Sequence, residues 1–147
     1  MKEPRPRPKP EPRPKPEPGP KTKTKRTYKI LFPQGWFMHW DMYTQAVAIY
    51  TVTLEDIDTG SRYMYDTGGG QNIDDVFARG HDVIEGSKNL QLTVEVDKTI
   101  FKDHIHEYTI YHAGEPVVYG FNLFVENGGD NDFNDFNAFI VCWKRSG

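Results

Sequence analysis

The stretch YGFNLFVENGGDNDFNDFNAFIVCW, residues 119–143, places two apolar runs on either side of an acidic loop. Each run is short, rich in aromatic and β-branched residues, and bounded by Gly, Asn or Asp, which is the pattern of two β-strands joined by a loop. Similar runs recur upstream, at YKILF, AVAIYTVTL, RYMY, LQLTVEV and HEYTIYH. Only GGQNIDDVFARG, residues 69–80, suggests a helical turn, and its flanking glycines argue against a long helix. We therefore expect an all-β fold, an antiparallel β-sandwich over residues 27–147.

The first 26 residues have a different composition from the rest of the chain. They hold nine of the eleven prolines and ten of the eighteen Lys and Arg, with Glu3, Glu11 and Glu17 as the only acids, so their formal charge is +7 against −10 for the remainder. Alternation of proline with charge favours a disordered polyproline II arm over a packed core. The arm is either a semi-rigid solubilising spacer or a basic segment for an acidic polymer or membrane surface. No aromatic residue precedes Tyr28, so specific nucleic-acid binding is not expected.

Length and composition exclude several classes of protein. A chain of 147 residues suits one domain, and no apolar run is long enough for a transmembrane segment. No apolar stretch follows the basic N-terminal residues, so no secretory signal is expected, and the protein is predicted to be cytoplasmic or released by a non-classical route. The single cysteine, Cys142, excludes an intrachain disulfide.

The acidic loop carries four carboxylates between Glu126 and Asp135. Carboxylates held this close repel one another unless a cation neutralises them. Oxygen donors alternate at Asp130, Asp132 and Asn134, which suits Ca²⁺, whereas zinc prefers the His or Cys that this loop lacks. The spacing is not that of an EF-hand, because Asp135 stands where that loop requires glycine. Two adjacent Ca²⁺ ions are plausible, and the alternative is a solvated acidic turn with Asx-type hydrogen bonds.

The string E-x-x-x-D-x-D-x-N-D, followed by an apolar strand, a tryptophan and a terminal glycine, resembles the end of the calcium-dependent fucose- and mannose-binding bacterial lectins of the LecB type. In that family two Ca²⁺ ions lie side by side in a small β-sandwich, and sugar hydroxyls coordinate both ions. The resemblance implies that the α-carboxylate of Gly147 enters the site of a partner chain, in a homodimer or higher homo-oligomer. It implies calcium ligands at Glu126, Asp130, Asp132, Asn134, Asp135 and Gly147, and sugar contacts at Asn127, Gly128, Asp130, Asp132 and Asp135.

The family also draws an Asn and small hydroxyl residues from an early loop. The corresponding region here is FMHWDMYTQ, residues 37–45, which offers Asp41, Thr44 and Gln45 instead. The repeat DFNDFN permits more than one register for the ligands around Asn134, and the segment from Asp135 onward is slightly longer than the family pattern.

Two further patterns suggest other chemistry. The triplet of aspartic proteases occurs at residues 66–68, but the glycines that follow are those of an ordinary loop between strands. His104 and His106 lie two apart, so on a strand they face the same way and could bind a transition metal. Exposed strand histidines without a metal are far commoner.

Trp36 and Trp40 could form a sugar-stacking face, although aromatic residues of β-domains more often pack in the core.

The expected function is calcium-dependent carbohydrate binding without enzymatic activity, with fucose- or mannose-like glycans as partners. The alternatives are a structural or adhesive β-module in which calcium only rigidifies the loop, and a small hydrolase.

Overall fold

The computed structural model describes residues 24–45, 48–66, 76–85, 89–97, 102–127, 133 and 135–145. Every regular element in this part of the chain is a β-strand, and no helix in it is long and apolar enough to span a membrane. The strands are β1 (Thr24–Ile30), β2 (Phe37–Tyr43), β3 (Tyr50–Asp56), β4 (Arg62–Asp66), β5 (Val76–Val83), β6 (Leu90–Val96), β7 (Lys102–His112), β8 (Glu115–Glu126) and β9 (Phe136–Trp143).

The strands form two antiparallel sheets that pack face to face. The four-stranded sheet has the order β1-β6-β3-β4, and the five-stranded sheet has the order β5-β2-β9-β8-β7. Aromatic rings join the sheets across the interior, with ring centroids 5.2 Å apart for Tyr50 and Phe136 and 4.7 Å apart for Trp40 and Tyr63. The predicted all-β antiparallel sandwich is confirmed.

The core is built by strict alternation along the central strands. In β2, Met38, Trp40 and Met42 are buried while their neighbours are partly exposed, and β3 and β6 show the same period of two. Burial of each such side chain contributes roughly 1.5–3 kcal/mol. The interior is therefore continuous from one end of the sandwich to the other.

The outer faces of the two sheets differ in chemistry. On the four-stranded sheet the outward positions are polar apart from Met64 of β4, and Thr27 faces Thr93 across β1 and β6 with the hydroxyl oxygens 3.2 Å apart. On the five-stranded sheet many outward positions are apolar, including Trp143, which is 39% exposed. We call this surface the aromatic face; its rings are Phe37, Tyr43, Phe124, Phe139 and Trp143.

Residues 37–45, which were compared from sequence with an early loop of the lectin family, are mostly strand. Phe37–Tyr43 form β2, which lies between β5 and β9 in the five-stranded sheet. The segment in which a helical turn was considered also differs, because its described part, residues 76–80, belongs to β5. β1 begins at Thr24, so it includes two basic residues assigned from sequence to the N-terminal arm. Residues 1–23 lie outside the described part of the chain.

Candidate calcium and carbohydrate site

The acidic loop connects β8 to β9, which are neighbours in the five-stranded sheet. Val125 pairs with Phe136, so the loop starts and ends at adjacent points on one end of the sandwich. Its described predicted-site residues are Glu126, Asn127 and Asp135. The remaining predicted positions lie outside the described residues, so their roles stay predictions: Gly128, Asp130, Asp132, Asn134 and Gly147.

Reciprocal hydrogen bonds hold the two described carboxylates across the loop. The backbone N–H of Phe133 donates to Glu126 Oε2 at 3.2 Å, and the backbone N–H of Asn127 donates to Asp135 Oδ2 at 2.6 Å. Each carboxylate thus bonds to backbone near the opposite end of the loop. Phe133 has φ 55°, a left-handed conformation that is uncommon for a residue with a side chain, and it marks a sharp turn in the loop. This bonding fixes both carboxylates within the loop, and the charges of both act on the Tyr50 hydroxyl.

Two buried residues support the loop from below. The Thr44 hydroxyl donates to the backbone carbonyl of Asp135, and Thr44 is fully buried just after β2. The Asn127 side-chain amide donates to the hydroxyl oxygen of Tyr50, the first residue of β3, at 2.8 Å. Both sheets therefore position the loop. Because fixed ligands lose less freedom when a cation binds, this support favours metal affinity.

The electrostatics of this end of the fold favour a cation. Burial, together with the charges of Asp135 and Glu126, raises the pKa of the Tyr50 phenol above its usual range. Glu126 is fully buried, and a buried carboxylate is costly unless hydrogen bonds or a positive charge compensate it. Both side chains offer only oxygen donors, which suits Ca²⁺, whereas zinc prefers the nitrogen or sulfur of His or Cys. Within the described ranges, no cluster of three or more metal-binding side chains is found, so a complete site needs loop positions outside them.

The early region contributes one residue to this site. Thr44 reaches the loop, but as a support beneath Asp135. Asp41 lies on the outer face of β2, where it bonds to His39 at 3.2 Å and to Arg79 at 2.6 Å. No described hydrogen bond joins Gln45 to the loop. Tyr50 was not predicted from sequence, since its partner Asn127 is 77 positions away.

The other sequence-based candidates lie away from the loop or inside the core. Trp40 is buried and donates its indole N–H to the Tyr65 hydroxyl at 2.9 Å, so it cannot stack on a sugar. Trp36 packs against Tyr119, with ring centroids 5.3 Å apart. His104 and His106 are exposed on the edge strand β7, and they form no described metal-binding group. Asp66 ends β4, and the rest of its triplet is outside the described residues.

The fold and the loop agree with one protein family. A model of that family, described as fucose-binding lectin II (PA-IIL), matches residues 30–144, from the end of β1 to just beyond β9. The chain belongs to the fucose-binding lectin II family. The match includes the whole acidic loop, and it confirms the resemblance to LecB-type lectins. No curated protein matches the chain.

Solved structures of bacterial lectins share the fold at 16% sequence identity. The C-terminal domain of the BC2L-C lectin from Burkholderia cenocepacia has a TM-score of 0.60, with 85% of this chain and 100% of that domain covered. The lectin CV2L from Chromobacterium violaceum, solved with α-methyl-fucoside, has a TM-score of 0.58. The high-affinity mannose-binding lectin from Ralstonia solanacearum has a TM-score of 0.57. For each of the last two, 82% of this chain and 96% of the lectin are covered.

Membership of the fucose-binding lectin II family decides the class of function. Lectins bind carbohydrate without transforming it, so the chain is a carbohydrate-binding protein and not an enzyme. The prediction of non-enzymatic binding is confirmed, and the small-hydrolase alternative is wrong.

Proposed function

We propose that the chain is a calcium-dependent lectin whose β8–β9 loop binds Ca²⁺ and presents it to a sugar. The observation that carries this proposal is the pair of carboxylates, Glu126 and Asp135, which reciprocal hydrogen bonds from the loop backbone fix at the two ends of one loop. Lectin family membership supports it, because the matched region includes this loop. The proposed calcium ligands in the loop are Glu126, Asp130, Asp132, Asn134 and Asp135, and two ions are expected because their carboxylates exceed the charge of one.

The chain's own residues prepare the site in three ways. Glu126 supplies a desolvated carboxylate at the end of β8. Thr44 holds the backbone of Asp135, and Tyr50 holds the side chain of Asn127. Bound Ca²⁺ supplies open coordination positions that neighbouring sugar hydroxyls fill in place of water. We propose that Asn127 and Gly128 form hydrogen bonds with the same sugar, and that the carboxylates of Asp130, Asp132 and Asp135 accept hydrogen bonds from it.

The proposed sugars are fucose-like or mannose-like, because coordination of this kind requires two vicinal hydroxyls in a suitable orientation. The family description names fucose, and relatives with this fold were solved with a fucoside or are described as mannose-binding. Deoxy analogues that lack one of the two hydroxyls should bind more weakly.

The aromatic face supports the proposed homodimer. The solvent face of an antiparallel sheet is normally polar, yet Phe139 and Trp143 in the central strand β9 are 37% and 39% exposed, and Ile110 on β7 is 50% exposed. Exposed apolar surface of this kind marks an interaction site, and a two-fold dimer buries the same patch on both copies. We propose that β9 lies at this interface and that the α-carboxylate of Gly147 completes the calcium shell of the partner chain.

Calorimetric titration of fucose and mannose, with Ca²⁺ and with chelator, tests the mechanism. We expect binding only with Ca²⁺, and loss of both calcium and sugar binding in Asp132→Ala. Glu115→Gln is the matched control, since it also removes one negative charge, from an exposed residue in the β7–β8 hairpin. Sugar binding that persists in chelator would overturn the proposed mechanism.

A further inference from the structure

Tyr50, at the beginning of β3, contacts both ends of the acidic loop. Its hydroxyl oxygen accepts a hydrogen bond from Nδ2 of Asn127, the residue directly after β8, at 2.8 Å. Its ring stacks on Phe136, the first residue of β9, with ring centroids 5.2 Å apart and ring planes inclined by 22°. Tyr50 is fully buried. The packed phenol ring therefore holds its hydroxyl at one position beside Asn127.

Asn127 directs its hydrogen-bond donors toward the interior of the fold. Its backbone N–H donates to Asp135 Oδ2 at 2.6 Å, and its side-chain amide donates to the Tyr50 hydroxyl. The charges of Asp135 and Glu126 act on this hydroxyl, and the positive N–H₂ end of an amide dipole turns toward a negative potential. The orientation of the Asn127 amide therefore agrees with the charges around it.

The carbonyl oxygen of the same amide is left for a ligand. Oδ1 and Nδ2 are the two branches of one planar group, so Oδ1 is directed away from Tyr50 when Nδ2 bonds to it. Asn127 is partly exposed whereas Tyr50 is buried, which places the carbonyl oxygen on the side of the amide further from the core. Among the described residues, none donates a hydrogen bond to this oxygen. Because Oδ1 only accepts, its partner on a bound sugar must be a donor.

We propose that Tyr50 determines which hydroxyl of the sugar the site selects, because it holds the Asn127 carbonyl oxygen toward the ligand. This inference rests on the proposed lectin function, in which Asn127 contacts the sugar that Ca²⁺ binds. One hydroxyl of the sugar, at the metal or next to it, must then donate a hydrogen bond to Oδ1. A site built to bond a hydroxyl rejects analogues that lack it, because its own polar group is left unpaired. Tyr50 is buried and acts through Asn127, so it is a positioning residue.

Sugar analogues test the orientation of the amide without any change at Tyr50. Each hydroxyl of α-methyl fucoside and α-methyl mannoside is replaced in turn by hydrogen or by fluorine, and binding to the full chain is measured by calorimetry in saturating Ca²⁺. The hydroxyl that Asn127 contacts is the one whose removal costs less affinity in Asn127→Ala than in the unmodified protein. At that position we expect the deoxy and fluoro sugars to bind equally weakly, because fluorine cannot donate a hydrogen bond.

Tyr50→Phe tests the role of the hydroxyl, because phenylalanine keeps the ring that stacks on Phe136. We expect the affinity for the unmodified sugar to fall by roughly three- to tenfold, which corresponds to the loss of one hydrogen bond. The affinity for the deoxy sugar that lacks the hydroxyl at Asn127 should not change, because that sugar has no such bond to lose. For the same reason, Tyr50→Phe should cause no further loss when it is combined with Asn127→Ala.

Tyr65→Phe is the matched control. The Tyr65 hydroxyl also accepts one side-chain N–H, from Trp40 at 2.9 Å, but this partner lies in β2 and not in the loop. Tyr65→Phe leaves the indole N–H without its acceptor, so we expect lower stability toward guanidinium chloride. The affinity for every sugar of the series should stay the same.

The failure of this inference is distinguishable from failure of the lectin mechanism. Unchanged sugar affinity in Tyr50→Phe would overturn the role of Tyr50. So would an equal loss for the unmodified sugar and all its analogues, or an equal loss in Tyr65→Phe, since the hydroxyl would then support only the fold. Recovery of affinity with fluorine would show that Asn127 presents Nδ2 to the sugar, which contradicts the proposed orientation. Absence of binding of both sugars to the unmodified protein in Ca²⁺ would instead overturn the mechanism of the loop.

Discussion

At the scale of single residues, two glycines leave the space in which an aromatic ring of the neighbouring strand packs. Gly80 of β5 lies opposite Trp40, and a Cβ at this position would overlap the indole ring. Gly120 of β8 lies opposite Tyr108, and a Cβ there would overlap the phenol ring. The rings differ in freedom, because Trp40 is buried and hydrogen-bonded to Tyr65 whereas Tyr108 is partly exposed on an edge strand.

Gly80→Ala should therefore destabilise the fold more than Gly120→Ala. The indole ring has no space into which it can move, so overpacking should cost about 1–3 kcal/mol or more, while the phenol can turn toward solvent at a smaller cost. Unfolding in guanidinium chloride of both variants measures the difference. Equal midpoints for the two variants would contradict the assigned roles of the rings.

Thr44→Val should weaken calcium binding although Thr44 is not a proposed ligand. Valine has nearly the same shape but cannot donate to the Asp135 carbonyl, and an unsatisfied buried acceptor costs about 1–3 kcal/mol. We expect lower stability and a lower calcium affinity, with Thr44→Ser restoring both because it keeps the hydroxyl. Full calcium affinity in Thr44→Val, measured by titration, would show that the loop does not need this support.

The Cys142 thiol should be inert in the folded protein. It is buried on the inner side of β9, and burial raises the pKa of the thiol to about 12. The reactive thiolate is therefore scarce at pH 8, and alkylation by iodoacetamide should occur only after unfolding. Mass spectrometry of native and denatured samples measures this, and rapid alkylation of the native chain would contradict the burial of Cys142.

At the scale of elements, the β8–β9 loop links its metal to the stability of the sheet. The loop joins two neighbouring strands of the five-stranded sheet, and its described carboxylates, Glu126 and Asp135, accept hydrogen bonds from the folded loop backbone. A cation that binds this arrangement does not bind the unfolded chain equally well. Calcium binding is therefore coupled to the folding of β8 and β9.

We expect Ca²⁺ to raise the melting temperature strongly. At 100 times the dissociation constant, one site stabilises the folded state by about 2.7 kcal/mol, which for a domain of this size is roughly 10 °C. Mg²⁺ should do much less, because it requires a tighter and more regular shell. Scanning calorimetry with each ion and with chelator measures the shifts. Identical melting curves under all three conditions would show that the loop is a solvated acidic turn that binds no metal.

The strands show what the sequence could and could not predict. LQLTVEV alternates cleanly and is β6, whereas FMHWDMY, which carries a histidine and an aspartate and was compared with a loop of the lectin family, is β2. The outer sheet face tolerates those polar residues because they pair with one another and with Arg79. Glu126 and Asp135 were predicted as ligands from the resemblance of the acidic loop to that of the lectin family. Tyr50 was not, because its contact with the loop depends on the pairing of distant strands.

At the scale of the whole molecule, the sandwich has one polar side and one aromatic side, and its two sheet orders place β9 in the middle of the aromatic side. Lys144 and Arg145, which follow β9, line a groove of about 450 Å³ together with the outward rings of Phe37 and Trp143. If the proposed dimer buries this face, residues near the end of the chain are expected to take part in it.

Extending the chain beyond Gly147, or amidating it, should weaken calcium and sugar affinity and shift the mass toward monomer. Both changes remove a carboxylate proposed to complete the partner's calcium shell. Light scattering and calorimetry on the extended and original chains measure the two effects. An extended chain that dimerises and binds calcium normally would show that Gly147 is not a ligand. The site would then consist of Glu126, Asp130, Asp132, Asn134 and Asp135 with water.

The central position of β9 also constrains how the chain matures as it is synthesised. β2 and β8 both pair with β9, which is synthesised after the other eight described strands, so each presents an unpaired edge until β9 arrives. Unpaired edges recruit strands of other chains, and strands made early have the longest exposure to such mispairing. Nascent chains that stall before Phe136 should therefore aggregate or require chaperones, while the arrival of β9 joins the two halves of the sheet in a single late step.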